Sequence, residues 1–217
     1  MKTIAIFKNH PECSNQCVSG MVAALAPNYR IRVFSVNSDL NYILSKSDCV
    51  AFPGGFGDAD SYYKFFKRRH GNAVADFVAN GGKYLGICMG QYWAGSDYFD
   101  ILDGIDVVQY IRMSDSDIKR PYGTVSKVTL ENNKKENMFF YDGGVIVNKS
   151  NNASYKIKAT YDNGRPMAII QGNVGIIGCH PESEQYWYEI YPYIKKYWHR
   201  GRHHKWLLKF VDELMLP

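Results

Sequence analysis

Lys83-Tyr84-Leu85-Gly86-Ile87-Cys88-Met89-Gly90-Gln91-Tyr92-Trp93 is the stretch whose reading decides the fold. Lys83–Ile87 is a short apolar run of the kind that forms a buried strand, and the residues after Cys88 suit a helix. Gly86 and Gly90 stand two before and two after the cysteine. A nucleophile on a sharp strand-to-helix turn needs small residues there, because the backbone is strained and neighbouring elements pack close. Cys88 would then open a helix, where backbone N–H groups and the helix dipole favour thiolate over thiol. The competing reading is a buried structural cysteine flanked by chance glycines.

The same grammar repeats outward from this stretch. Thr3–Phe7, Arg30–Val36 and Cys49–Phe52 read as strands, Cys17–Leu25 and Gly71–Asn80 as helices, with Pro27 and Gly81-Gly82 as stops. Strands interleaved with helices imply a mostly parallel sheet covered on both faces. The second half differs. Val107–Ile111, Gly123–Leu130, Met138–Tyr141, Val145–Val147, Tyr155–Tyr161 and Met167–Ile170 are strand-like pieces between Asn, Asp and Gly turns, which predicts extra antiparallel strands. Val174–Cys179 is a final apolar strand, followed by helical stretches over about Tyr186–His199 and Arg202–Leu214. With 217 residues and no linker, repeat or low-complexity tract, the chain reads as one domain spanning residues 1–217.

Composition narrows the function classes. Hydrophobic residues at 46% and charged residues at 22% fit an ordinary globular protein. The net charge of +5 gathers near the C-terminus without a nucleic-acid reading motif, so a solvated helical face is expected and no nucleic-acid partner. Five cysteines without a C-x-x-C pair argue against a disulfide framework and for a reducing compartment. No signal-like or membrane-length segment is present, so a cytoplasmic location without a membrane partner is expected. Seventeen tyrosines suit a ligand-lined cleft as well as a core. His199, His203 and His204 lack a carboxylate or thiol at ligand spacing; a surface helix is expected, with no metal and no cofactor.

Two further segments carry chemistry. In Cys179-His180-Pro181-Glu182, His180 leaves the last apolar strand at its carboxyl edge, where open α/β sheets place their sites. His180 and Glu182 are two apart in extended chain and point the same way. Glu182 would hold one imidazole nitrogen and leave the other for Cys88, within hydrogen-bond reach. In Phe52-Pro53-Gly54-Gly55, adjacent glycines let the backbone approach a ligand, and with the Met89 N–H they would form an oxyanion hole. A plain β-turn explains Gly54-Gly55 equally well.

Taken together and in this order, P-G-G, G-x-C-x-G and a strand into H-P-E resemble the class I glutamine amidotransferase superfamily over most of the chain. The resemblance implies a flavodoxin-like α/β fold, a triad of Cys88, His180 and Glu182, and an oxyanion hole from Gly54 or Gly55 with Met89. Phe52–Gly55, Asn80–Cys88, Phe140–Gly144 and Ala159–Pro166 are similar to the N-terminal domain of eukaryotic-type biotin–protein ligases, a domain also found alone. Nothing resembles the biotin-ligating domain, so biotinylation is not implied. Glutamine-using relatives carry a Gln four residues after the nucleophile, where this chain has Tyr92, with Gln91 at three and Trp93 at five. Gln91, Tyr92, Trp93 and Tyr141 are the candidate substrate-binding residues. Trp93 predicts a larger or more apolar substrate than free glutamine. The leading expectation is a thiol-dependent hydrolase or amido/acyl-transferase acting on a small-molecule or peptide-like amide. The alternative is a ligand-binding or regulatory module of the same fold without turnover.

Overall fold

Apolar runs of four or five residues can be buried on both faces only where helices cover both, and five such runs make the parallel half of the sheet. The computed structural model describes all residues 1–217. Strands β1 (Thr3–Phe7), β2 (Arg30–Phe34), β3 (Cys49–Phe52), β4 (Lys83–Ile87) and β11 (Val174–Ile177) lie in the order β2-β1-β3-β4-β11, all parallel. Side chains alternate across β1: Ile4 and Ile6 pack toward helices α1 (Asn15–Leu25) and α7 (Arg202–Leu214). Ala5 and Phe7 pack toward α2 (Leu40–Ser45) and α4 (Ala73–Ala79) on the other face. Between these two lie a π-helical turn over Tyr63–Lys67 and a single turn, α3 (Arg68–His70).

The sheet then continues antiparallel. Beyond β11 come β10 (Pro166–Gln171), β9 (Lys156–Tyr161), β6 (Thr124–Leu130) and β7 (Lys135–Phe140), completing nine strands. β5 (Ile105–Gln109) and β8 (Gly144–Asn148) form a separate antiparallel pair. The α/β architecture with added antiparallel strands is thus the one expected from the sequence.

Local details depart from expectation. The stretch Tyr186–His199 is not one helix but α6 (Gln185–Ile190) and a 3₁₀ turn at Lys195–Tyr197. Pro192 interrupts the pattern, since it lacks an N–H and disfavours helical backbone before it. His199 and His203 are not on a surface face: both are buried, His199 just before α7 and His203 on its first turn, where Nε2 lies 3.5 Å from the Glu136 carboxylate. Leu40–Ser45, with an Asp39 cap accepting from the Tyr42 N–H, was not legible as a helix because it is only six residues long.

Candidate active site

Everything that brings the site together hangs on carboxyl ends of the parallel strands. β4 runs into Cys88, which takes φ 53° and ψ −102° before α5 (Met89–Trp93) begins. A positive φ on a non-glycine residue is strained backbone, held here by the Cys88 N–H donating to the Ile177 carbonyl at 2.9 Å. The helix that follows is only five residues long. Cys88 is nearly buried, and its Sγ donates to the Tyr141 carbonyl at 3.3 Å.

Three and five residues past β11, His180 and Glu182 are buried together, with Nδ1 and Oε1 2.8 Å apart. That bond fixes the ring, and Nε2 has no partner in the protein. The edges of Phe139 and Trp187 flank the imidazole with ring centroids 5.9 and 5.7 Å away. Burial works against a charged imidazole, yet the Glu182 carboxylate and the Cys88 and Cys17 thiols together hold the His180 pKa well above the ordinary value. The imidazole and the Cys88 side chain both lie against Gly54. A Cβ on that residue would lie 2.5 Å from His180 Cε1 and 2.9 Å from Cys88 Cβ, so no other residue fits there. The Gly54 and Gly55 N–H groups donate to no acceptor in the protein, while the Gly54 carbonyl accepts from the Ser14 N–H at 2.9 Å.

The His180–Glu182 segment is gripped from behind. His199 and His204 both donate through Nε2 to the turn after His180, the first to the Ser183 carbonyl at 2.9 Å. His204 reaches the Glu182 and Ser183 carbonyls at 3.1 and 3.0 Å. On the α1 side the Glu182 carbonyl packs so close to Gly20 that an added Cβ would stand 2.2 Å from it. Sequence reasoning missed these supports, and the cluster of histidines just past His-Pro-Glu was their only signal.

Two cavities flank the pair, sharing Gly55, Phe56 and Tyr141 as walls. Cys88 opens into one of about 490 Å³, with Met89, Tyr92, Gln109 and Asp142. His180 opens into one of about 130 Å³, with Cys17, Phe139 and Trp187. Asp142 takes φ 49°; its carboxylate accepts from Gln109 Nε2 at 2.6 and 2.8 Å, and its carbonyl accepts from Tyr92 at 3.1 Å. Burial raises the Asp142 pKa, against the Gln109 donation that lowers it.

Of the four expected substrate-binding residues, Tyr92 and Tyr141 line these cavities and two do not. Trp93 is fully buried in the aromatic core beside Phe52 and Phe66, its Nε1 donating to the Ala59 carbonyl at 2.9 Å. Gln91 is fully buried beneath Gly144 and Gly178, its amide without a partner. The reason is helical geometry: about 100° per residue turns Tyr92 to the cavity and its neighbours onto the sheet. Trp93 therefore cannot turn the cavity against free glutamine. Cys17, Sγ included, completes a cluster with His180 and Glu182 whose donor atoms lie within 4.8 Å of one another. His180 and Glu182 already bond each other there, which leaves that set poorly disposed for a metal. Cys13 is buried, its Sγ donating to the Pro53 carbonyl at 3.3 Å.

The fold is that of class I glutamine amidotransferase-like proteins. A glutamine amidotransferase from Thermotoga maritima matches over 100% of this chain and 99% of its own, at 13% identity and a TM-score of 0.66. A second glutamine amidotransferase matches over 98% of both chains at 15% identity and TM-score 0.66, and SMU.1228c over 99% and 100% at 11% and 0.64. Residues 8–108 match the family described as biotin-protein ligase, N terminal, a span that includes Gly54, Gly55 and Cys88. No curated protein sequence matches the chain. No helix is long and apolar enough to cross a membrane.

Proposed function

We propose that this protein is a thiol-dependent hydrolase or amido/acyl-transferase of the amidotransferase-like class, acting on an amide bond of a small molecule or peptide-like substrate. Cys88 gives its thiol proton to His180 Nε2 as Sγ attacks the carbonyl carbon, forming an S–C bond while the C=O π pair moves onto oxygen. The tetrahedral oxyanion is met by the N–H groups of Gly54, Gly55 and Met89. His180, oriented by Glu182, passes its proton from Nε2 to the leaving nitrogen as the C–N bond breaks. Water, or another acceptor, then adds to the thioester with His180 as base, and the Cys88 thiol returns with the acid released.

The single observation that carries this reading is the meeting of a strained cysteine and a carboxylate-held imidazole over one glycine. A second reading, a binding module without turnover, is favoured by the thiol bonding to the Tyr141 carbonyl while His180 Nε2 stands unpartnered. Catalytic hydrogen bonds are often loose before substrate arrives, so this bond does not decide against the enzyme. The test is amine release from a panel of primary and secondary amides, free glutamine included, by the protein and its Cys88→Ala variant. Turnover of one member that depends on Cys88, at roughly 1 per second, is expected. No release, and no acyl-enzyme mass on Cys88, points to the module.

A further inference from the structure

The two cavities differ in chemistry in a way that orients an amide. General acid catalysis puts the leaving nitrogen beside the imidazole and leaves the acyl carbon's substituent on the thiol side. The thiol-side cavity has two charged side chains, both carboxylates: exposed Asp58 and half-buried Asp142. No lysine or arginine lines it, and Arg112, the cation that acts on Asp142, forms no ion pair with it within 4.0 Å. Asp142 is locked by Gln109 and by its own strained backbone, the arrangement of a preset acceptor rather than a mobile surface charge.

The imidazole-side cavity is the opposite. Apart from His180 it holds no titratable side chain other than tyrosines and Cys17, and Trp187, Ile190, Tyr186 and Phe139 make it apolar. Ile190 and Tyr186 are 64% and 40% exposed at its rim, a cost that a bound apolar group would remove. The buried Trp187 Nε1 and His180 Nε2 both lack a protein acceptor. Unsatisfied buried polar atoms of this kind mark places where a ligand supplies the partner.

We infer that the substrate spans both cavities in one direction: an acyl group bearing an amine or other cationic donor sits against Asp142, and an aromatic or branched apolar amine leaves on the His180 side. This rests on the thiol-dependent reading above, because it needs Cys88 and His180 to act on opposite sides of one carbonyl. It also gives Asp142, Trp187 and Ile190 roles that no motif assigns.

The experiment uses acyloxymethyl ketones, R–CO–CH₂–O–CO–R′, in a two-by-two panel. R is an aminoalkyl chain or its uncharged alkyl isostere; R′ is phenyl or methyl. The Cys88 thiolate displaces the carboxylate at the methylene: an S–C bond forms, the C–O bond breaks, and R′CO₂⁻ leaves with the electron pair. Labelling rates at Cys88 are read by mass spectrometry and divided by the rates with free glutathione. The amine is expected to accelerate labelling about tenfold and the phenyl group about tenfold. Asp142→Asn, which keeps the Gln109 bond and tolerates positive φ, should abolish the first factor alone; Ile190→Asp should reduce the second alone. Asp58→Asn, at an exposed position, is the second route to the amine effect if Asp142→Asn misfolds. Normalised rates indifferent to R, or an amine effect that survives in folded Asp142→Asn protein, overturn the inference while leaving the thiol reading intact. A Cys88 that reacts no faster than glutathione with every probe removes the reading beneath it.

Discussion

Cys88 and His180 meet over Gly54, but they are held there by opposite means. Cys88 is fixed by its own stretch of chain: a buried strand, a strained turn and a short helix, closed by one backbone bond to β11. His180 and Glu182 follow a strand too, yet what holds them comes from far away in sequence. Gly20 in α1 admits the Glu182 backbone, and His199 and His204 clamp the next turn. The Cys88 turn is a local structure, and the His180–Glu182 pair is a tertiary one. Substitutions distant from the strand ends should therefore damage the base while sparing the turn that presents the thiol.

The largest effect is expected where the two supports meet. Gly54→Ala pushes a methyl into both the imidazole and the Cys88 Cβ, and overpacking of this kind costs about 1–3 kcal/mol. Misplacing both groups should lower Cys88-dependent turnover by roughly 10³-fold, with far-UV circular dichroism unchanged. Next comes Glu182→Gln, which keeps an acceptor for Nδ1 and removes the charge. Turnover should fall about 10²-fold. The sign of the pH effect follows from the carboxylate's role: it raises the His180 pKa, so the variant's ring should deprotonate at lower pH than the native one, as read by NMR titration of the imidazole.

A smaller effect sharpens the contrast. His204→Phe removes the donor to the Glu182 and Ser183 carbonyls and should cost about tenfold in kcat, with KM little changed and stability lowered by about 1 kcal/mol. A loss of KM instead would mean the clamp serves the cavity rather than the base.

The smallest effect is on stability alone. Burial, with neighbouring positive charge, lowers the His199 pKa to about 3 and the His203 pKa to about 4. For His199 the reason is visible: Nδ1 accepts from the Gly201 N–H at 3.1 Å and cannot be protonated without losing that bond. Between about pH 6.5 and about pH 4 the unfolded chain takes up protons that the folded chain refuses. Stability should fall as pH drops through that window, and His203→Phe should flatten the slope of Tm against pH there.

How much of this was legible follows the same division. The Gly86-Ile87-Cys88-Met89-Gly90 turn, the five parallel strands and the shared orientation of His180 and Glu182 are consequences of residues within a few positions of each other. The sequence reading found them. Gln91 and Trp93 were misjudged because position after the nucleophile does not say which side of α5 faces the sheet; the apolar bed around Phe52 took the indole. Asp142 and Gln109 pair across 33 positions, and His204 with Glu182 across 22, so neither contact leaves a local pattern to read. The histidines were taken for a surface face because α7 has an apolar stripe whose extent decides burial only once the sheet edge is in place.

The central claim is that Cys88, alone among five thiols, is an activated nucleophile. Site-resolved alkylation with iodoacetamide at pH 7, followed by peptide mass spectrometry, tests it most directly. Burial raises the Cys13, Cys17, Cys49 and Cys179 pKa values above the ordinary thiol range, so those thiols should stay protonated and slow. The account predicts that Cys88 labels first, by about tenfold or more over any other cysteine, and that His180→Asn removes the advantage. Labelling of Cys88 no faster than the other four, or a rate indifferent to His180, would contradict it.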